Sequence, residues 1–142
     1  MKILITGGAG YVGTGLIPVL LNEGFEVCVY DNLSFGGDPI LPFFRNPKFS
    51  FILGDIRDLN GLKKATKDAD IIIHLAAIVG YPACRKDPEL AKSVNVGGTK
   101  NVIEATTGSQ LILYGSTGCN YGAIEYNCRE TRATMPLRLY GQ

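Results

Sequence analysis

The chain has 142 residues, 46% hydrophobic and 19% charged, a length and balance that fit one packed domain and exclude a disordered or fibrous chain. Fourteen Lys and Arg against thirteen Asp and Glu leave a formal charge of +1, which gives no electrostatic footprint for nucleic acid or a membrane surface. Cys28, Cys84, Cys119 and Cys128 contain no C-x-x-C pair and there is a single histidine, so no metal site is expected and the thiols read as reduced, cytoplasmic ones. No apolar run reaches signal-peptide or membrane-helix length.

The elements follow in chain order. Lys2–Thr6 is a short apolar strand, and Thr6-Gly7-Gly8-Ala9-Gly10-Tyr11-Val12-Gly13 comes directly after it. Val12, Leu16, Val19 and Leu20 share a helical face, with Pro18 inside the pattern and Gly24 as a stop. Residues 26–30 form a second strand that runs into Asp31, and residues 38–44 are too proline-rich to assign. Phe49–Leu53 reads as a strand, 58–65 as a short helix, 70–75 as a strand, 88–105 as a longer helix interrupted by Gly97-Gly98, and 110–114 as a fifth strand.

Ile3-Leu4-Ile5, Val27-Cys28-Val29, Ile71-Ile72-Ile73 and Leu111-Ile112-Leu113 are continuous rather than alternating. Strands of that kind belong in a parallel sheet covered by helices on both faces. The strand and helix alternation implies right-handed crossovers, hence an α/β, Rossmann-like, doubly wound parallel sheet.

Within that frame the glycines at 7, 10 and 13 fall where backbone approaches a diphosphate, whose charge is met by free N–H groups at a helix start. A glycine-rich turn without a ligand is the bland alternative. Asp31 sits about twenty residues further on, at the end of the second strand, where a carboxylate accepts hydrogen bonds from ribose hydroxyls and repels a 2′-phosphate. NAD is therefore the expected cofactor. Asp55 and Asp58 are open to two readings, as helix caps or as cofactor ligands.

The spacing of Gly7, Gly10 and Gly13 is similar to that of the extended short-chain dehydrogenase/reductases, the NAD-dependent epimerase/dehydratase family, and other segments agree. Asp31-Asn32-Leu33 resembles that family's ribose-binding turn. Gly54-Asp55-Ile56-Arg57-Asp58 resembles its adenine-side motif, which implies Asp55 near the adenine amino group and Ile56 along the ring. His74-Leu75-Ala76-Ala77 resembles the segment lining the diphosphate and nicotinamide ribose, with His74 itself read as a hydrogen-bonded core residue. Asn95 matches the family's helix asparagine. The resemblance also implies that Tyr11, Val12 and Ser116 contact the cofactor.

Tyr114-Gly115-Ser116-Thr117 and Asn120-Tyr121-Gly122 are similar to the family's serine/threonine segment, which makes Thr117 the catalytic hydroxyl. The stretch from Pro136 to Gly141 resembles the approach to a Tyr-x-x-x-Lys motif, so Tyr140 is the implied acid/base and its lysine would fall at position 144. The reading is thus of residues 1–142 as the N-terminal part of an NAD-binding domain, with the sheet incomplete on its C-terminal side and the substrate region absent. That makes the chain by itself inactive. The resemblance implies a nucleotide-sugar substrate and a homodimer in the full-length protein. Gly118-Cys119 stand where dehydratases of the family place an acid, which favours epimerase or reductase chemistry. A non-catalytic dinucleotide-binding module is the alternative of another class.

Overall fold

The computed structural model describes residues 1–123, 127–137 and 139–141; Arg138 and Gln142, in the segment resembling the tyrosine motif, lie outside them. Five parallel strands form one sheet in the order β3-β2-β1-β4-β5: β1 (Lys2–Thr6), β2 (Glu26–Asp31), β3 (Phe49–Leu53), β4 (Ile71–His74) and β5 (Leu111–Tyr114). The order reverses between β1 and β4, which opens a crevice at the carboxyl ends of those two strands. The α/β, doubly wound, Rossmann-like fold read from the sequence is the fold observed.

Strand pleating divides the core into two layers. Ile3, Ile5, Val27, Val29 and Ile73 point to one face and pack under α1 (Tyr11–Asn22) and a 3-10 turn at Asp38–Arg45, through Ile17, Leu21 and Ile40. Leu4, Cys28, Tyr30 and Ile72 point to the other, against Leu62 and Ala65 of α2 (Leu59–Thr66) and against Val102. The expected helix cap at Asp58 is real: its carboxylate accepts the Asn60 N–H at 3.1 Å.

Three expectations need correction. A short helix, α3 (Tyr81–Lys86), occupies the stretch between the expected strand at 70–75 and the expected helix at 88–105, where no element is expected. The helix expected over 88–105 is α4 (Pro88–Lys92) and α5 (Thr99–Glu104), joined by a π-helical stretch at Ser93–Gly98 rather than broken at its glycines. Finally, Leu111-Ile112-Leu113 is not buried on both faces. Ile112 packs into the α2 layer, whereas Leu111 and Leu113 are 55% and 47% exposed. They share a face with Ile71 and Ile73 by register, and no helix among the described residues covers that face at β5.

Candidate cofactor and active site

β1 delivers the chain to Gly7 in a left-handed conformation, φ 74°, with no room for a side chain: a Cβ there would stand 2.5 Å from the Ala76 nitrogen. Gly13 lets the first turn of α1 close on the loop, since a Cβ would lie 2.4 Å from the Gly8 carbonyl oxygen. Gly10 is the N-cap of α1; no side chain caps it, and no acid lies in the first turn. The first turn of the helix therefore presents backbone N–H groups and the positive end of its dipole with no acidic or capping side chain of its own, which fits a diphosphate. Tyr11 and Val12 stand exposed beside it.

Asp31 faces this loop from the end of β2. Its Oδ2 accepts the Ala9 N–H at 3.0 Å and its Oδ1 accepts the Leu33 N–H at 2.8 Å. Both bonds fix the carboxylate at the crevice rim.

The neighbouring Asn32 donates from Nδ2 to Asp55 Oδ2 at 3.0 Å, linking the ribose turn to the adenine-side turn. Arg57 clamps the same carboxylate through Nε at 2.9 Å and Nη2 at 2.7 Å. Its side-chain hydrogen bond is the chief reason that the Asp55 carboxyl is held well below the usual carboxylate range. The turn rests on Tyr30, whose hydroxyl donates to the Asp55 carbonyl at 3.1 Å, and on Asn101, whose Nδ2 donates to the Ile56 and Arg57 carbonyls. The Ile56 side chain, expected along an adenine ring, is instead 5% exposed and packed in the α2 layer. What Ile56 can offer a cofactor is mainly backbone.

Leu75, Ala76 and Ala77 leave β4 half-buried, directly beside Gly7. Asn95, at the π-helical stretch, clasps the next residue in both directions: Oδ1 accepts the Ile78 N–H at 2.8 Å and Nδ2 donates to its carbonyl at 2.9 Å. His74 is buried, and burial pushes its pKa down to about 4, so the imidazole is neutral at physiological pH.

Past β5, Ser116 is exposed and accepts Asn120 Nδ2 at 3.2 Å. The Thr117 oxygen accepts the Cys119 N–H at 3.2 Å, which caps a 3-10 turn at Gly118–Tyr121 and leaves the hydroxyl proton free to donate. Tyr140 lies on a second 3-10 turn at Leu139–Gly141, which abuts the first closely enough that a Cβ on Gly141 would stand 2.7 Å from the Cys119 carbonyl oxygen. Burial drives the Tyr140 phenol above its ordinary value, with smaller contributions from Cys119, Cys84 and Tyr114, and the nearby Thr117 hydroxyl opposes the rise. Tyr140 is thus a protonated phenol at neutral pH.

Glycine loop, ribose acid, adenine-side turn and hydroxyl pair all lie at the carboxyl ends of parallel strands, where open α/β sheets bind their ligands. The supporting residues Tyr30, Arg57, Thr99 and Asn101 were not singled out in the sequence. Only Arg57, inside the Asp55 motif, carried a signal that could have found it.

A Rossmann-type α/β domain with a threonine and a tyrosine on adjoining turns past β5, at the same end of the sheet as its glycine loop, is the class of protein defined by this geometry. The chain belongs to the NAD dependent epimerase/dehydratase family, which matches residues 3–141. It is 37% identical over 144 residues to the CDP-paratose 2-epimerase of Salmonella typhi, spanning 94% of this chain and 43% of that protein. Among solved structures it resembles UDP-glucose 4-epimerase of Thermus thermophilus in complex with NAD, at 32% identity and a TM-score of 0.89, over 99% of this chain and 46% of that one. UDP-glucuronic acid 4-epimerase of Bacillus cereus, in complex with UDP-glucuronic acid and NAD, gives 32% identity and a TM-score of 0.90, over 99% and 48%. The chain thus spans less than half the length of these relatives.

Proposed function

We propose that this chain supplies the NAD cradle and two catalytic hydroxyls of a nucleotide-sugar epimerase that works through a transient keto sugar. The observation that carries the reading is the side-chain-free glycine loop at the start of α1 facing the backbone-held Asp31 carboxylate, with Thr117 following β5 at the same end of the sheet. Its support from relatives is that those named above are epimerases of nucleotide-linked sugars, two of them with NAD bound.

Bound at the loop, NAD supplies a reversible hydride acceptor. Tyr11, Val12 and Gly13 would meet its diphosphate with backbone N–H groups where the side-chain-free Gly7 and Gly10 let it approach; Asp31 and Asn32 would hold the adenosine ribose, and Asp55 and Ile56 the adenine edge. Leu75, Ala76, Ala77, Asn95 and Ser116 border the nicotinamide half. Tyr140 would take the proton of the sugar hydroxyl at the carbon to be oxidised and return it to the same oxygen when the turned keto sugar is reduced on its opposite face. Thr117 donates to the reacting oxygen, steadying the charge that develops there. For that role the phenol needs a cation to bring it down from its raised value, and the family pattern places it as a lysine at position 144. Without an acid at Gly118 or Cys119 there is no group at those positions to expel water, which weighs against a dehydratase.

The second reading is a dinucleotide-binding module without turnover. Two measurements separate them. Calorimetric titration of the chain is expected to show NAD bound in preference to NADP. The full-length protein, offered CDP- and UDP-sugars, is expected to invert one sugar stereocentre with no net change in NAD. NAD uptake with no turnover on any sugar makes it a binding module; no uptake of NAD ends both readings.

A further inference from the structure

A polar chain, buried at Thr6 and His74 and half-buried at Thr99 and Asn95, runs across the sheet beneath the cradle. Thr6 Oγ1 lies 2.6 Å from His74 Nδ1, His74 Nε2 lies 2.9 Å from Thr99 Oγ1, and Thr99 Oγ1 lies 2.6 Å from the Asn95 carbonyl oxygen. Each proton in it can be assigned. A carbonyl only accepts, so the Thr99 hydroxyl proton points to Asn95. Thr99 then has only lone pairs to offer, so His74 Nε2 must carry a hydrogen. With a neutral ring Nδ1 is bare, and the Thr6 hydroxyl donates to it.

The ends of this chain are the parts of the site that must keep register. Thr6 precedes Gly7, whose backbone abuts Ala76, and the Thr6 carbonyl accepts the Leu75 N–H at 2.9 Å. Asn95, at the other end, clasps Ile78. From these contacts we infer that His74, in its Nε2–H tautomer, is a positioning residue that locks the end of the glycine-loop strand to the Asn95 helix and so sets the nicotinamide half of the cradle against the diphosphate half. The inference rests on the proposed cofactor site.

The chain has one histidine, so nitrogen NMR of the imidazole reads His74 with no assignment step. A pyrrole-type Nε2 and a pyridine-type Nδ1 are expected in the wild type at neutral pH; the opposite tautomer overturns the inference. Thr99→Val removes the acceptor at Nε2, while Thr99→Ser keeps it. The valine variant is expected to bind NAD about tenfold more weakly and ADP unchanged, with serine restoring NAD binding. A merely structural role predicts equal losses for NAD and ADP, and that result, or no loss of either, overturns the inference. Should the wild type take up neither ligand, the cofactor reading falls and the positioning role with it, while the tautomer spectrum still tests the proton assignment by itself.

Discussion

At the scale of single residues, the cradle is built by making each polar group answer to backbone. Asp31 is the clearest case, since both its oxygens accept main-chain N–H groups, at Ala9 and Leu33. Asparagine in its place must turn an NH2 toward one of those donors, and it also loses the charge that would grip ribose and repel a phosphate. Asp31→Asn is therefore expected to weaken NAD binding by about ten- to a hundredfold and to narrow the preference over NADP. Calorimetry with both dinucleotides checks this; unchanged affinity for both would remove Asp31 from the site. Asp31 and the glycine loop were legible in the sequence because residue type and spacing state their chemistry. Tyr30 and Asn101 were not, since their part depends on which carbonyl they meet across the fold.

At the scale of elements, strands were legible and short helices were not. A continuous apolar run identifies a strand, but it reports side-chain type and not what covers it, which is why β5 was misread as buried. The α3 segment gives too few residues for a helical period, and Pro42 removes the backbone donor that an α-helix would aim at the Asp38 carbonyl within Asp38–Arg45. The π-helical stretch is the most instructive element, because its two glycines differ. A Cβ on Gly97 would meet nothing within 4 Å, whereas one on Gly98 would stand 2.3 Å from Ile56 Cδ1, itself buried. Gly97→Ala is expected to stabilise the fold by about 0.5–1 kcal/mol by restricting the unfolded chain. Gly98→Ala is expected to destabilise it by about 1–3 kcal/mol through overpacking beneath the adenine-side turn. Urea unfolding of the two variants side by side decides; equal effects would mean that the stretch is loose enough to absorb either methyl.

For the whole molecule, the buried His74 ties stability to pH. Its folded pKa is lowered from 6.5 to about 4 by burial, so between those values the unfolded chain takes up a proton that the folded chain refuses. The stabilisation is complete above the unfolded value, is lost as pH falls through that window, and levels off below about 4. Over the window this amounts to about 3 kcal/mol. Asp55, whose folded value is also depressed, carries the decline further into acid. Denaturation midpoints followed from pH 7 to pH 4 are expected to fall, and His74→Gln to flatten the slope in that range whatever it does to the absolute midpoint. A wild-type curve flat between pH 6.5 and 4 would mean that the imidazole is hydrated or already charged in the fold.

The same scale explains what an open side of the sheet brings with it. Among the described residues β5, four residues long, pairs with β4 alone and packs into the core through Ile112, so its amides are expected to trade with solvent through small local openings and not through global unfolding. When β5 lifts, the Thr117 turn that follows it departs from the crevice while β1 and β2, at the centre, still hold the glycine loop and Asp31. The molecule is therefore graded from a fixed anchor to a loose reacting end, and whatever seals that flank tunes how often the two hydroxyls stand ready.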